Sequence, residues 1–272
     1  MRGKYKDALM YHTKDKEVCE MTQDISGQAQ AHRMAKYKEA LEEQKQYLAM
    51  SRQLQDPVME QRALATLGRT FLYIAETDTD AYNKSIKYFS NALKSVSKIP
   101  KKDIDAKERA IMTARALENI GIASWHLGKD SEEFFSRAVS MYRDNKLWED
   151  LCRVTDIKVS FLLVSASPSD LSLALTCCEA SLDAAQKVHN SIKQNQCKVT
   201  ALFTESKVLL LKEEWKDARE CLIRARGYKV ETDTSAMVIK NLKMLIVRVK
   251  LKEEIRAKME RKMMSHSTYE QI

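Results

Sequence analysis

Two clusters of arginine, amide and hydroxyl side chains recur along the chain with the spacing of a single helix face. The members of each cluster stand at positions i, i+4 and i+7: Arg62, Thr66 and Arg69 in the first, and Arg115, Asn119 and Ile122 in the second. A guanidinium group pairs with a carboxylate through parallel hydrogen bonds, and the amide of Asn119 both donates and accepts, as a peptide backbone requires. These residues predict a site that binds an acidic peptide. The alternative is that they are ordinary exposed helix residues, or that Asn119 bonds a neighbouring loop.

The sequence carries no pattern typical of a catalytic or metal site. It contains no glycine-rich phosphate loop, no HExxH motif and no signature around a serine or cysteine nucleophile. The five histidines are far apart in the sequence: His12, His32, His126, His189 and His266. We therefore expect a protein that is not an enzyme and that binds no metal or cofactor.

The six cysteines form neither a CxxC motif nor a paired zinc spacing. Cys177 and Cys178 are adjacent, and we predict that they are buried packing residues in a chain kept in a reducing compartment. No stretch approaches the length of an apolar membrane span, and the first residues lack the apolar core of a signal peptide. We therefore expect no membrane partner.

A recurring triplet of positions indicates the architecture that must hold these side chains in place. It consists of a small residue, a bulky residue four positions later and usually a small residue three positions after that. Successive triplets begin 43–46 residues apart, except for a first step of 32. Such a period is typical of the second helix in a repeated helical hairpin. The triplets are Ala8/His12/Asp15, Ala40/Gln44/Tyr47, Ser85/Phe89/Ala92, Ser131/Phe135/Ala138, Ala174/Cys178/Ser181 and Ala218/Leu222/Ala225.

The first helices of these hairpins are recognisable by Gly68 and Gly121, which would allow two helices to approach closely. Residues 150–166 depart from this pattern, because Val159 takes the place of the glycine and Ile157 takes the place of Asn119. First helices of this repeat class line a concave surface, where we expect the two polar clusters. The predicted fold is all-α, a right-handed α-α superhelix (solenoid) of tetratricopeptide-like hairpins with a long C-terminal helix.

We predict three regions along the chain. Residues 1–234 form a repeat array of about five to six repeats, residues 235–264 form a long basic helix, and residues 265–272 form a tail. The net charge of +8 is concentrated in the second region, where nine basic and three acidic residues lie between Lys240 and Lys262. We prefer to interpret this basic face as solvated. The alternative is that it binds nucleic acid or an acidic protein segment.

The short first step indicates that part of a first helix is missing near residue 34. There is no room for a turn between Met34 and Ala35, and Met1 begins directly at a second helix. Our hypothesis is that the chain is a truncated or mis-spliced version of a longer repeat array. An uninterrupted exon across codons 34 and 35 would count against it.

Several blocks of the sequence resemble the N-terminal repeats of Tonsoku-like proteins. The most specific block is QRALATLGRT at residues 61–70. Further blocks are AQAHR at residues 29–33, WEDLCR at residues 148–153 and VIKNL at residues 238–242. The resemblance extends from residue 1 to about residue 258, with order and spacing preserved except near residue 34.

The resemblance implies a nuclear protein-interaction scaffold in genome maintenance. Tonsoku-like proteins act at stalled or broken replication forks, in homologous-recombination repair of DNA double-strand breaks, and with histones, histone chaperones and helicase components. The implied partners are protein or peptide ligands, including acidic segments of replication, histone-chaperone or repair factors. The family's ankyrin repeats and leucine-rich repeats do not occur in this sequence. The alternative function is a cytoplasmic long-repeat adaptor that binds a cytoskeletal or signalling peptide.

Overall fold

A computed structural model describes residues 25–228, with side chains from residue 34 onward, and three single residues, Val247, Lys250 and Glu254. Every regular element within residues 25–228 is an α-helix, and the all-α helical-repeat class predicted from the sequence is confirmed. Most of the predicted basic helix, the tail and the first triplet lie outside the described residues. The helices are α1 (Ile25–Gln53), α2 (Pro57–Ile74), α3 (Asp80–Lys98), α4 (Ala106–His126), α5 (Glu132–Asp144), α6 (Trp148–Ser165), α7 (Pro168–Gln186), α8 (Ser191–Leu211) and α9 (Trp215–Arg226).

The chain divides into two compact units, with the boundary between Met141 and Tyr142 inside α5. In the first unit, α1 to α4 pack in sequence order, and α2 also contacts α4. In the second unit, α6 to α9 pack in sequence order, and α6 also contacts α8. Within each unit, the two first helices therefore contact each other, α2 with α4 and α6 with α8, as expected of stacked helical hairpins.

The recurring triplets lie in the buried face of the second helices. Within α3, α7 and α9 all three members are buried, and in the triplet of α5 the two later members, Phe135 and Ala138, are buried. The triplet within α1 differs, because Ala40 and Gln44 are half-buried and Tyr47 is 38% exposed. In the described residues the main helix contact of α1 is with α2, so fewer of its side chains are covered.

The predicted role of the two glycines is confirmed by their contacts with the second helices. A Cβ atom at Gly68 would lie 2.9 Å from three ring atoms of Phe89, and one at Gly121 would lie 3.1 Å from the ring of Phe135. The hydroxyl of Ser85 donates a hydrogen bond to the Gly68 carbonyl oxygen at 2.9 Å. In the second unit, Val159 stands at the glycine position and lies in a buried cluster with Cys178.

The chain runs through residues 34 and 35 without a turn, as the sequence predicted, because α1 is one continuous helix from Ile25 to Gln53. The next helix, α2, begins at Pro57 and is capped by Asp56. The carboxylate of Asp56 accepts hydrogen bonds from the backbone N–H groups of Val58 and Met59, both at 2.9 Å. Pro57 occupies the first helical turn, where its missing N–H has no cost.

Candidate protein-binding groove

The five residues predicted to form a binding site line one groove of about 400 Å³ between α2 and α4, within the first unit. The third residue of the second cluster, Ile122, is not among the described residues that line it. The side chains that line the groove are Gln61, Arg62, Ala65, Thr66 and Arg69 of α2, Phe89 of α3, and Glu108, Ile111, Met112, Arg115, Ala116 and Asn119 of α4.

Local interactions position α4 opposite α2. The carboxylate of Asp105 accepts a hydrogen bond from the backbone N–H of Glu108 at 2.6 Å and begins the helix. The guanidinium of Arg109 donates to the carbonyl oxygens of Val96 at 2.7 Å and Ile99 at 2.9 Å. These bonds satisfy carbonyl groups at the end of α3 and tie the start of α4 to that point.

The two helices are bridged across the groove by an ion pair that sequence reasoning missed. The Nη2 atom of Arg62 lies 3.0 Å from Oε1 of Glu108, and both side chains are exposed. An exposed pair of this kind contributes at most about 1 kcal/mol. Glu108 precedes Arg115 and Asn119 by 7 and 11 residues, which is the spacing of one helix face and the signal that could have identified it. The groove therefore carries three arginines and one glutamate.

Thr66 and Arg69 already interact with each other. The Thr66 hydroxyl donates to the carbonyl oxygen of Arg62 at 2.8 Å and accepts from Nη2 of Arg69 at 3.3 Å. The hydroxyl hydrogen of Thr66 is therefore used within α2, and its expected role narrows to holding the Arg69 guanidinium. Arg69 is exposed and forms no ion pair with another described residue.

The side chain of Asn119 bonds to its own helix. Its Nδ2 atom donates to the carbonyl oxygen of Arg115 at 2.6 Å, one turn earlier in α4. The alternative that Asn119 bonds a neighbouring loop is therefore not what the structure shows. This bond uses one of the two amide N–H groups, and a side-chain amide carries a second N–H and an acceptor oxygen.

The floor of the groove is apolar. Ala65 and Ala116 are small and lie beside Phe89, whose ring is buried. Ile111 and Met112 are half-buried and add apolar surface on the α4 side. An apolar floor with a few polar groups at its rim is the usual character of a site that holds an extended ligand.

The corresponding face of the second unit is occupied by its own polar contacts. Arg153 stands six residues before Val159, as Arg62 does before Gly68, and its Nη2 atom lies 3.1 Å from Oδ1 of Asp150. The Thr204 hydroxyl of α8 donates a hydrogen bond to the carboxylate of Asp156 on α6. The Thr204–Asp156 bond links α6 to α8, whereas the Arg153–Asp150 pair lies within α6.

The described residues provide neither a metal-binding cluster nor a membrane-spanning helix. Residues 34–228 contain no group of three histidine, cysteine, aspartate or glutamate side chains arranged to hold a metal ion. In the same part of the chain, no helix has the length and apolar character needed to cross a membrane. Cys177 and Cys178 are buried free thiols, so their predicted packing role is confirmed.

Comparisons with known proteins show that the chain is similar to Tonsoku-like proteins from several animals. The chain is 26% identical to the Drosophila melanogaster protein over 267 residues, which cover 91% of the chain and 18% of the relative. It is 26% identical to the Bos taurus protein and 25% identical to the Mus musculus protein, covering 93% of the chain and 19% of each relative. No family model matches the chain. The chain is thus similar, along nine-tenths of its length, to a region spanning about a fifth of Tonsoku-like proteins, as its sequence blocks predicted.

Proposed function

We propose that this chain is a non-catalytic protein-interaction scaffold whose α2–α4 groove holds an acidic peptide segment. The observation that carries the proposal is the convergence of Arg62, Arg69, Arg115 and Asn119, from positions up to 57 residues apart, on one groove with an apolar floor. Three guanidinium groups against one carboxylate favour a negatively charged ligand. The peptide backbone would bond the Asn119 amide, and its apolar side chains would cover Ile111 and Met112.

The biological role that we propose is a nuclear one, in replication-fork recovery and homologous-recombination repair. It is supported by the similarity to Tonsoku-like proteins, and the partners would be acidic segments of replication, histone-chaperone or repair factors. The second candidate is a cytoplasmic adaptor for a cytoskeletal or signalling peptide. Imaging of the tagged chain before and after replication stress separates the two, because accumulation at damaged chromatin supports the first and exclusion from the nucleus contradicts it.

The groove is tested by peptide binding to the purified chain. The probe is a fluorescein-labelled peptide of alternating glutamate and serine, and a lysine–serine repeat is the control ligand. We expect Arg69→Glu combined with Asn119→Ala to weaken binding by about tenfold or more. The melting temperature should stay within about 2 °C of that of the unchanged chain, because both side chains lie at the groove rim. A loss of helicity would instead mean that these residues are structural.

The matched control is Lys87→Glu combined with Asn91→Ala. Lys87 and Asn91 lie four residues apart on α3, as Arg115 and Asn119 do on α4. They are not among the residues that line the groove. The control makes the same change in charge, at one lysine, and removes one amide. Because both residues lie outside the lining of the groove, we expect almost unchanged peptide binding. An equal loss of affinity in both double variants would contradict a localised groove.

Glu108→Gln provides a test of opposite sign. It removes the one carboxylate of the groove and releases Arg62 from its ion pair. We expect the glutamate–serine peptide to bind about two- to fivefold more tightly, with the gain shrinking as salt is added. Unfolding cannot produce a gain in affinity, so weaker binding in this variant would overturn the assignment of the groove to an acidic ligand.

The alternative contact with nucleic acid concerns residues between Lys240 and Lys262, which lie almost entirely outside the described residues. Binding of duplex DNA that weakens steeply with salt would support it. Absence of binding at low salt would remove it. The groove variants above should leave any such DNA binding unchanged, so the two ligands can be distinguished.

A further inference from the structure

The floor of the groove between α2 and α4 is apolar, whereas its charged side chains lie at the rim. The residues of the floor are Ala65, Phe89, Ile111, Met112 and Ala116. A ligand that offered only carboxylates would pair with the rim arginines and leave this apolar surface in contact with water, which has a free-energy cost. The floor is therefore a second source of affinity, independent of charge.

Two alanines keep the centre of the floor open. Ala65 of α2 is half-buried, Ala116 of α4 is buried, and both pack against the Phe89 ring. The ring is 1% exposed and packs against Gly68, so its position is fixed by close contacts. Because each alanine carries only a methyl group, a larger apolar side chain supplied by a ligand has room beside this ring.

The dimensions of the groove fit one such side chain and its neighbours along a peptide. The volume of about 400 Å³ is near the lower end of the range of sites for small ligands, roughly 300–1,000 Å³. Arg62 and Arg69 are seven residues apart on α2, which is about 10 Å along the helix axis. An extended peptide covers this distance with about three residues, and successive side chains point to opposite faces. When the middle residue points to the floor, its two neighbours point toward the rim.

We propose that the groove recognises an acidic segment that carries one bulky apolar residue, with acidic residues on both sides of it. The apolar side chain enters the floor between Ala65 and Ala116, and the flanking carboxylates pair with the rim arginines. This inference rests on the proposed function, because it requires a groove that binds acidic peptides. Burial of the apolar side chain supplies affinity, and the arginines select for acidic neighbours.

The experiment measures the binding of labelled peptides to the full purified chain. The first peptide is the glutamate–serine repeat, and the second carries leucine in place of its central serine. We expect the leucine peptide to bind about tenfold more tightly, because its side chain leaves water. This ratio should stay constant as salt is added, since apolar burial is not screened. Calorimetry should show a more negative heat-capacity change for the leucine peptide.

The same leucine in a lysine–serine repeat tests the contribution of the rim. This peptide brings ammonium groups toward three guanidinium groups, so we expect it to bind at least about tenfold more weakly than the acidic leucine peptide. Equal affinities of the two leucine peptides would show an apolar site that does not select for acidic neighbours, and would overturn the inference.

Two variants change the floor and leave the rim arginines in place. Ala65→Leu fills the floor with a side chain of the protein itself, so the gain from the peptide leucine should fall below about twofold. Met112→Gln keeps the length of the side chain but makes it polar, so the gain should fall to about threefold. Both variants should bind the glutamate–serine peptide within about twofold of the unchanged chain.

The matched control for Met112→Gln is Met50→Gln. Met50 is 53% exposed on α1 and is not among the residues that line the groove. This variant should keep the full tenfold gain expected from the leucine. If Ala65→Leu fails to fold, the comparison of Met112→Gln with Met50→Gln decides. A full gain in Met112→Gln would then mean that the leucine binds elsewhere on the chain.

The results separate this inference from the proposed function. If the glutamate–serine peptide binds and leucine adds no affinity, the floor holds no apolar side chain and the inference is wrong, whereas the groove for acidic peptides stands. If neither acidic peptide binds, both are wrong. If leucine adds affinity and Met112→Gln reduces that gain, both are supported.

Discussion

The two units of the chain build the same helix–helix contact from different residues. In the first unit a glycine on the first helix admits a phenylalanine ring from the second, at Gly68 with Phe89 and at Gly121 with Phe135. In the second unit Val159 stands at the glycine position, and the bulky place of the triplet holds the smaller Cys178. The larger side chain of the contact therefore stands on the second helix in the first unit and on the first helix in the second unit. The contact therefore conserves the total volume that it fills, rather than the residue types, as close packing requires.

The polar side chains on the exposed faces of the first helices also differ between the two units. In the first unit the polar side chains of α2 and α4 stand at the rim of an open groove, joined by one exposed ion pair. In the second unit Asp156 accepts a hydrogen bond from Thr204 across α6 and α8, and the thiol of Cys152 lies 3.4 Å from the carbonyl oxygen of Ser181 on α7. Similar hairpins thus form an open groove in the first unit and a hydrogen bond between neighbouring first helices in the second.

The largest expected difference between the units concerns the bulky residue of the triplet. Phe89→Ala empties a buried ring site and should cost about 3–5 kcal/mol of unfolding free energy, whereas Cys178→Ala removes one sulfur and should cost about 1 kcal/mol. Urea unfolding followed by circular dichroism measures both. Hydrogen exchange should rise chiefly in α2, α3 and α4 for the first variant. Equal costs would show that the two contacts are packed alike.

A volume exchange in the second unit tests the comparison directly. Cys178→Phe alone overfills the contact against Val159 and should cost roughly 1–3 kcal/mol. Adding Val159→Gly recreates the arrangement of the first unit, and we expect the pair to be more stable than the sum of the single changes by about 1 kcal/mol or more. Additive costs in the double-mutant cycle would mean that the two positions do not share one volume.

Gly68→Ala makes the reverse change in the first unit. Its new Cβ would lie 2.9 Å from three atoms of the Phe89 ring, so we expect a net cost of roughly 1–2 kcal/mol despite the better helix propensity of alanine. Gly121→Ala meets its ring at 3.1 Å and should cost less. Phe89→Leu in the Gly68→Ala background should restore part of the loss. A stabilising Gly68→Ala would show that the ring moves aside freely.

The smallest expected effect is on the melting temperature, when a carboxylate of the interior is replaced by an amide. The surroundings of this carboxylate differ between the two units. In the second unit, burial raises the pKa of Glu205, and its Oε2 atom is buried without a hydrogen-bond partner among the described residues. Because the folded state holds the proton more tightly than the unfolded state, ionised Glu205 destabilises the fold at neutral pH. This cost decreases once the pH falls below the raised pKa and is gone below the ordinary pKa of a glutamate. Glu205→Gln should therefore raise the melting temperature at pH 7 by roughly 1–2 °C and have no effect in acid.

The comparison residue for this test is Glu118 on α4, which is buried but has interaction partners. Glu118→Gln should lower the melting temperature at neutral pH, because it weakens contacts that the carboxylate already makes. A rise in both variants would remove the proposed difference between the two carboxylates.

Much of the fold could be predicted because helix packing leaves a periodic record in the sequence. Small residues at Ser85 and Ala92 flank Phe89 in the sequence, and all three are buried. The spacing near residue 34 left no room for a turn between Met34 and Ala35, and α1 is continuous there. The burial of the triplet within α1 could not be predicted in the same way. Tyr47 has the right spacing, but its exposure depends on which helices pack against it.

The groove was predicted in part. The spacing of Arg62, Thr66 and Arg69 placed them on one face, but no local pattern indicated that Glu108 would pair with Arg62 from 46 residues away. The hydroxyl of Thr66 was expected to face a ligand, yet it donates within its own helix. A side chain's choice between a ligand, its own backbone and a distant partner depends on distances that linear spacing does not contain.

The sequence by itself determined that this chain is built from repeated helical hairpins, and which positions of the second helices must be small or bulky. These properties follow from the period of the α-helix and from the volume available where two helices cross. The tertiary structure alone decided which side chains from different helices meet: Arg62 with Glu108 across the groove, Val159 in one cluster with Cys178, and Thr204 with Asp156. The physical reason is that such contacts depend on the relative translation and rotation of packed helices, which the local residue pattern leaves open.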